Sequence, residues 1–259
     1  MSAIAENHAV KRYFVKLAYK GSAYHGWQIQ PNAISVQQLL EESLSRILSK
    51  KIAVSGAGRT DAGVHASEFF AHIDIPQPLN ISVNKLSHAW NAVLPEDIAI
   101  YEIRAVKPDA HARFSAISRS YRYQIVRNKE PFHRDYAYYF YGPLDVASMN
   151  AAAKILLEYR DFTSFSRLHT DVKTNNCLIS TACWEEHAAM LTFKITADRF
   201  LRNMVRAITG SLIDVGRGRS SVEGFRSVIE ARDRSAAGFS VPAQGLFLEG
   251  ITYPDDIWL

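Results

Sequence analysis

The residues best suited to chemistry lie together in one short loop, Gly58-Arg59-Thr60-Asp61-Ala62-Gly63-Val64-His65-Ala66. Glycines at positions 56, 58 and 63 allow backbone turns that other residues resist, and they let a ligand approach the main chain closely. Arg59 precedes Asp61 by two residues, and an acid beside a guanidinium tends to stay ionised, as a nucleophile or a general base must. Asp61 is therefore a candidate catalytic group, although these residues are equally typical of a tight turn with a solvated Arg–Asp pair.

A second group of chemically capable residues is basic. Arg199, Arg202 and Arg206 are spaced three and four apart, which predicts that they share one side of a helix over residues 200–215. A basic stripe of this kind is ordinarily a solvated helix face, but it can also follow the phosphates of a nucleic acid. Further arginines in the second half are consistent with a basic cleft, namely Arg113, Arg119, Arg122, Arg127, Arg217 and Arg219.

Hydrophobic periodicity predicts the elements that must position these groups. Alternating or apolar runs predict strands near residues 11–19, 52–55, 69–75, 98–106, 119–127, 135–141, 190–195 and 246–253. Helices are predicted at 35–48, 83–93, 147–157, 200–215 and 222–231, the first with Ser35 and Gln38 as a capping box. Strands and helices follow in the same order about twice. The pattern predicts an α+β protein of two similar halves, residues 1–108 with the Asp61 loop and residues 109–259 with the basic helix.

Composition narrows the class of protein. The 259 residues are 47% hydrophobic, enough for one large core or two smaller ones, and the net charge of +4 permits a polyanionic partner without requiring one. Cys177 and Cys183 fit neither a zinc site nor a disulfide framework, and the histidines at 72, 88, 133, 169 and 187 lack metal-ligand spacing. No secretory signal and no bilayer-length apolar run is present, so we expect a cytoplasmic protein without a metal.

The string from Ala57 to Ala66 closely resembles the signature of the TruA family of tRNA pseudouridine synthases. Further segments are similar to that family's motifs, in the same order along nearly the whole chain. They are Gly26-Trp27-Gln28, residues 89–98, residues 111–116 followed by Tyr121-Arg122-Tyr123, residues 162–166, residues 200–206 and residues 242–246. The chain departs from the pattern at Gln244, where the family usually has histidine, and at residues 174–177.

The resemblance implies a fold and an activity. The expected fold is the pseudouridine synthase fold, two ferredoxin-like halves whose antiparallel or mixed sheets join around a central cleft. The expected reaction isomerises uridine to pseudouridine at positions 38, 39 and 40 of the tRNA anticodon arm, with no cofactor and no metal. The resemblance also implies a homodimer in which one tRNA contacts both subunits.

The resemblance also implies roles for individual residues. Asp61 corresponds to the essential catalytic aspartate, either as a covalent nucleophile or as a base at the sugar. Arg206 corresponds to the arginine that pairs with it. Tyr121 is expected to stack on the uracil, and its hydroxyl is a candidate for proton removal at C5.

Three further residues are expected to bind the substrate. Arg59 would help to extrude and replace the target base, and Leu246 would pack on the side of the pocket opposite Tyr121. Arg202, on the basic stripe, is expected to contact the RNA.

Three alternatives remain open at the level of sequence. One is a non-catalytic RNA-binding protein, because ferredoxin-like halves also build RNA-recognition sheets. Another is a hydrolase that uses Asp61 with a second carboxylate such as Glu158 or Asp161. The third is a pseudouridine synthase that acts on another RNA.

Overall fold

The computed structural model describes residues 9–167 and 173–259, so His169 and the first eight residues lie outside it. In the first half, a helix follows the first strand and a second helix follows the third. The elements are β1 (Val10–Tyr19), α1 (Val36–Leu48), β2 (Val54–Gly56), β3 (His65–Pro76), α2 (Val83–Val93) and β4 (Ile98–Ala105). The strands lie in the order β4-β1-β3-β2, with antiparallel neighbours, which is the ferredoxin-like arrangement.

The second half repeats this arrangement. Its elements are β5 (Ser118–Val126), β6 (Tyr138–Tyr139), α3 (Val146–Ile155), β7 (Ile179–His187), β8 (Met190–Ala197), α4 (Met204–Gly216), α5 (Val222–Ala231) and β9 (Leu246–Thr252). The order β9-β5-β8-β7 matches the order of the first half, and β6 pairs with β5. The two sheets join where β3 and β9 run parallel, at His65–Phe247 and Ala66–Leu248. The predicted α+β fold with joined ferredoxin-like halves is confirmed.

Helix α1 forms largely as its sequence predicts. Ser35 caps it, because the Ser35 hydroxyl accepts a hydrogen bond from the amide of Gln38 at 3.3 Å. The second bond of the capping box is absent, since the Gln38 side chain donates to Glu42 at 2.9 Å instead. The apolar stripe faces the core, with Leu40 and Leu44 fully buried.

Two predictions in the second half were wrong. No strand was predicted between residues 158 and 189, where β7 lies, and the end of β7 carries Glu185, Glu186 and His187. It lies at the edge of the sheet, where charged residues are common, and only one of its faces is buried. Helix α4 begins at Met204 rather than at residue 200, because Asn203 adopts a left-handed backbone conformation with φ of 67°.

The candidate strand at 135–141 is also much shorter than predicted. Only Tyr138 and Tyr139 pair with β5. The preceding residues fold into turns, in which the amides of Tyr136 and Ala137 both donate to the carbonyl of His133 at 3.0 and 2.9 Å. The amides that a longer strand would have offered to a neighbour are therefore already used.

Two hydrophobic clusters form the core, and β9 contributes to both. The first includes Leu17, Phe69 and Trp90 and belongs mainly to the first half. The second belongs mainly to the second half, but it also contains Val64 from the end of the Asp61 loop. Leu246 packs in the second cluster, whereas Leu248, Ile251, Tyr253 and Ile257 pack in the first. The two halves are consequently held together by shared apolar burial as well as by strand pairing.

Within the described ranges, no helix is both long and apolar enough to cross a membrane.

His72 lies on β3, where the sheet contacts the segment that links the two halves. It is buried, and its Nδ1 accepts a hydrogen bond from the amide of Ala112 at 3.3 Å. Burial, and then the positive charges of Arg12 and His111, lower the pKa of His72 to about 4. The folded protein therefore holds this ring neutral at pH values where an exposed imidazole is charged.

We predict that His72 makes folding sensitive to acid. Between pH 6.5, the ordinary pKa of histidine, and about pH 4, His72 binds a proton in the unfolded chain but not in the folded one. The free energy of unfolding therefore falls as the pH falls through this range. Relative to His72→Gln, the wild type should lose about 2 kcal/mol of unfolding free energy between pH 7 and pH 5. Urea unfolding at both pH values measures this. The exposed His88→Gln serves as the control, and equal losses in all three proteins would contradict the prediction.

Candidate active site

The Asp61 loop connects β2 to β3, and its backbone is held on both sides of the aspartate. Before it, the buried hydroxyl of Tyr19 on β1 hydrogen-bonds the Thr60 hydroxyl at 2.9 Å. After it, the amide of Val64 donates to the Asp61 carbonyl at 3.1 Å and closes a turn. Because Val64 is itself buried in the second core cluster, the loop is fixed to both halves.

Gly26 brings a second segment against this loop. Its φ is +89°, and a Cβ at this position would lie 2.3 Å from the carbonyl oxygen of Thr60. Glycine permits both the left-handed conformation and the close approach. The amide of Trp27 then donates to the Thr60 carbonyl at 3.3 Å. The Gly26-Trp27-Gln28 motif therefore supports the residue next to Asp61.

The Asp61 carboxylate faces two arginines from the second half. Nη1 of Arg206 lies 3.6 Å from Oδ2, and Nε of Arg202 lies 3.6 Å from Oδ1. Both separations exceed hydrogen-bond length, so the contacts are ion pairs that leave the carboxylate oxygens open to other partners. The aspartate side chain is 25% exposed, so it is accessible to solvent.

The two arginines are held differently. Arg206 lies in the first turn of α4, is 21% exposed, and its Nε donates to the Val241 carbonyl at 2.7 Å. Arg202 precedes the helix, in the turn that Asn203 ends, and it is 56% exposed. The prediction that Arg199, Arg202 and Arg206 share one helix face was wrong, because α4 begins only after Arg202. Arg206 is the fixed partner of Asp61, and Arg202 is the solvent-facing one.

Tyr121 lies on β5 and packs against both core clusters. Its ring meets Phe200 edge to face, with ring centroids 5.1 Å apart. Burial, together with the negative charge of Asp61, raises the pKa of Tyr121 to about 12. The hydroxyl is therefore protonated at neutral pH.

Two further predicted site residues, Leu246 and Arg59, do not contact the Asp61 carboxylate as Arg202 and Arg206 do. Leu246 is buried at the start of β9, opposite Tyr123 of β5. Arg59 is exposed, and within the described residues the ion-pair partners of Asp61 are Arg202 and Arg206. The interpretation of the loop as a turn with an Arg59–Asp61 pair is therefore wrong.

Not all the arginines predicted for a basic cleft face it. Arg122 alternates with Tyr121 on β5 and so points to the other face of the sheet, where it pairs with Glu249 at 3.1 Å. Arg127 pairs with Glu186 at 3.4 Å. These two arginines are neutralised locally rather than offered to a polyanion.

The carboxylates considered for a hydrolase have other partners. Glu158 pairs with Arg226 at 2.7 Å, and Asp161 with Arg232 at 3.3 Å. Asp161 also accepts hydrogen bonds from the amide and hydroxyl of Thr163. Each of these two carboxylates is therefore bound to partners other than Asp61.

Sequence reasoning gave no site role to Tyr19 or Phe200, and it assigned Arg119 only to a basic cleft, although all three contact the segments that hold Asp61, its counter-ions or Tyr121. Tyr19 and Phe200 were assigned to a strand and a helix alone. Tyr19 and Thr60 are 41 residues apart, so local periodicity carries no signal of their contact. The family motifs at residues 200–206 and around Tyr121 were the only sequence signal that placed Phe200 near the site.

Comparison with known proteins decides the family. A family model described as tRNA pseudouridine synthase matches residues 17–115 and 152–254. The chain belongs to the tRNA pseudouridine synthase family. The two matched stretches include Asp61 and both arginines that face it, Arg202 and Arg206. They also include β8 and β9, the strands on either side of β5.

Several relatives match this member of the family over nearly their whole length, each named tRNA pseudouridine synthase A. The protein from Parabacteroides distasonis is 52% identical, and the match covers 96% of this chain and 98% of that relative. The protein from Bacteroides thetaiotaomicron is 55% identical, with 96% and 93% covered. The protein from Bacillus subtilis is 41% identical, with 92% and 97% covered.

We predict that Gly26 is essential to the loop whereas Gly58 is not essential to its stability. Gly26→Ala should lower the free energy of unfolding by about 2 kcal/mol or more, because the new Cβ collides with the Thr60 carbonyl and the φ is unfavourable. In Gly58→Ala the new Cβ meets open space, so stability should be unchanged or rise by less than about 1 kcal/mol. Urea unfolding of the two variants measures the difference, and similar losses would contradict the prediction.

Proposed function

We propose that this chain isomerises uridine to pseudouridine in tRNA, at positions 38, 39 and 40 of the anticodon arm, with Asp61 as the essential catalytic residue. The observation that carries the proposal is the ion-paired carboxylate between the halves. Asp61 comes from the first half, and Arg202 and Arg206, at 3.6 Å each, come from the second. Family membership supports the reaction class.

The reaction breaks the N1 glycosidic bond, turns the base and joins its C5 to the same ribose carbon. Nothing is oxidised and no group is imported, so the chemistry requires no cofactor. Asp61 acts at the sugar, either as a nucleophile or as a base, and both roles need a charged carboxylate held in one orientation. Arg206 supplies that orientation, because its own guanidinium is anchored to the Val241 carbonyl.

Tyr121 and Leu246 are the proposed walls of the uracil pocket. A base must leave its stack to reach the site, at a cost of a few kcal/mol, and stacking on a tyrosine ring offsets part of that cost. A pKa of about 12 is far from the neutral values that suit a general base. This favours stacking over proton removal as the role of Tyr121.

Arg59 and Arg202 are proposed to contact the RNA outside the uracil pocket. Both side chains are exposed, Arg202 at the mouth of the cleft beside Asp61. Arg59 would occupy the space that the flipped base leaves, and Arg202 would contact a phosphate. An enzyme that accepts three adjacent positions reads tRNA shape and phosphate geometry more than base sequence.

We further propose a cytoplasmic homodimer in which one tRNA contacts both subunits, as the family resemblance implies. Cys177 and Cys183 are both free thiols, which suits a reducing compartment. Light scattering should give twice the mass of one chain, and the mass of a single chain would contradict the dimer.

A tritium-release assay tests the reaction and the role of Asp61. Purified protein is incubated with tRNA tritiated at C5 of uridine, and tritium released to water is counted. We expect release by the wild type and none above background by Asp61→Ala. No release by the wild type would overturn the activity, and equal release by the variant would overturn the role of Asp61.

Carbodiimide modification followed by primer extension then locates the pseudouridines. Stops at positions 38, 39 and 40 are expected. Stops elsewhere in tRNA would retain the activity and overturn the anticodon-arm assignment.

We also predict that Arg206→Ala separates binding from turnover. Because Arg206 faces the carboxylate rather than solvent, tRNA affinity in a filter-binding assay should stay close to wild type. The turnover number should fall by about 100-fold or more, since the carboxylate loses its fixed partner. A loss of affinity with unchanged turnover would instead identify Arg206 as a phosphate contact.

A further inference from the structure

Arg119 on β5 makes an unusual set of contacts for an arginine. Among residues 9–167 and 173–259, its guanidinium donates hydrogen bonds to four backbone carbonyls and to no carboxylate. The acceptors are the carbonyls of Ala116 at 3.1 Å, Asp198 at 2.8 Å, Ala57 at 3.3 Å and Arg113 at 2.5 Å. One nitrogen, Nη2, bridges Ala57 and Arg113.

These four carbonyls belong to three segments, two of which carry Asp61 and its counter-ion Arg202. Ala57 opens the Asp61 loop, and Asp198 opens the turn that carries Arg202. Arg113 and Ala116 lie in the segment that links the two halves. Arg119 itself is two residues from Tyr121 on the same face of β5. One side chain therefore joins the loop that holds the acid, the turn that holds its counter-ion and the strand that holds the stacking ring.

Burying the charged guanidinium of Arg119 costs solvation free energy, which suggests that the side chain has a specific role. Burial lowers the pKa of Arg119, which means that the charged form loses solvation. In the described parts of the chain, no carboxylate lies within ion-pair distance of it, so its direct contacts are the four carbonyls, and the charge of Asp198 acts only from further away. A guanidinium offers five donors in a rigid fork, whereas a lysine ammonium is a compact group with three donors.

We propose that Arg119 is a positioning residue, which sets the separation between Asp61 and the arginines that face it by tying the Asp61 loop to the turn before α4. In the described part of the chain the ion-pair partners of Asp61 are Arg202 and Arg206, so Arg119 acts through the backbone of the loop and of the turn. The inference rests on the proposed isomerase activity. It predicts that removal of Arg119 impairs turnover more than affinity, because turnover depends on the ångström-scale geometry between Asp61 and its counter-ions, whereas the exposed side chains of Arg59 and Arg202 can still reach the RNA from a displaced backbone.

The test compares Arg119→Ala and Arg119→Lys with Arg12→Ala. Arg12 is a control of the same residue type. It is also partly buried and donates to a carbonyl of the linking segment, that of Ala110 at 2.9 Å, but it pairs with Asp74 and does not contact the Asp61 loop. With tritiated tRNA, kcat of both Arg119 variants should fall roughly 10- to 100-fold, as expected for an ångström-scale displacement of catalytic groups. Their KM should stay within about twofold of wild type, and Arg12→Ala should keep kcat.

Chemical rescue separates positioning from general stability. Guanidinium chloride at tens of millimolar, far below the molar concentrations that unfold proteins, should restore part of kcat in Arg119→Ala in a saturable way. Sodium chloride at the same ionic strength should not. Asp61→Ala, which lacks the acid itself, should not respond to guanidinium.

The outcomes distinguish this inference from the proposed function. If wild type releases no tritium, the proposed function fails. If wild type is active and either Arg119 variant keeps kcat, or shows only a raised KM, the positioning role fails. If Arg119→Ala does not fold by circular dichroism, Arg119→Lys decides: a lowered kcat at unchanged KM and unfolding midpoint supports the role, and an unchanged kcat overturns it.

Discussion

The seam between β3 and β9 is the constraint on which the rest of the structure depends. It consists of two residue pairs, His65–Phe247 and Ala66–Leu248, and His65 is the first residue after the Asp61 loop. Because the seam lies at the exit of this loop, the pairing that joins the two sheets also fixes where the aspartate lies relative to the second half. Burial of Val64 in the second core cluster and of Leu248 in the first strengthens the same junction.

The charges at the cleft follow from this junction. A single carboxylate from one half meets two guanidiniums from the other, and neither partner is near it in sequence. Attraction between them favours the closed arrangement of the halves, and the anchoring of Arg206 to Val241 limits the directions from which the charges can approach. The site is thus a product of the interface, since each half alone presents only part of it.

Strand alternation assigns the side chains of β5 to two environments. Arg119, Tyr121 and Tyr123 face the helices and the cleft, where burial raises the pKa values of both tyrosines and lowers that of Arg119. Arg122 faces the opposite side, where it pairs with Glu249 and stacks over Phe247 at 4.4 Å. Arg119 and Arg122 are only three positions apart, yet Arg119 is a buried donor to backbone carbonyls and Arg122 forms an ion pair on the other face of the sheet.

The sequence by itself determined most of the elements and the type of fold. Periodic burial is a local property, so strands β1 and β4 and helices α1, α2 and α5 could be predicted from apolar spacing alone. Strand β3 begins at His65, four residues before its predicted start, and its first two residues form the seam with β9. The ordered motifs determined the family. The local pattern failed where the deciding interaction is not local. Residues 179–187 form β7 because β8 pairs with them along their whole length. Helix α4 starts later than predicted because Asn203 turns the chain there, with a left-handed backbone and a side-chain hydrogen bond to Ser240 at 2.6 Å.

Asp61 could be identified as a candidate catalytic residue from the sequence. The family resemblance already pointed to Arg206 as its partner. Only the tertiary structure decided that Arg202 lies beside it as well, that Arg59 does not, and that Arg119 ties these segments together. These contacts join residues 62 to 145 positions apart, and their geometry exists only once the two sheets have joined.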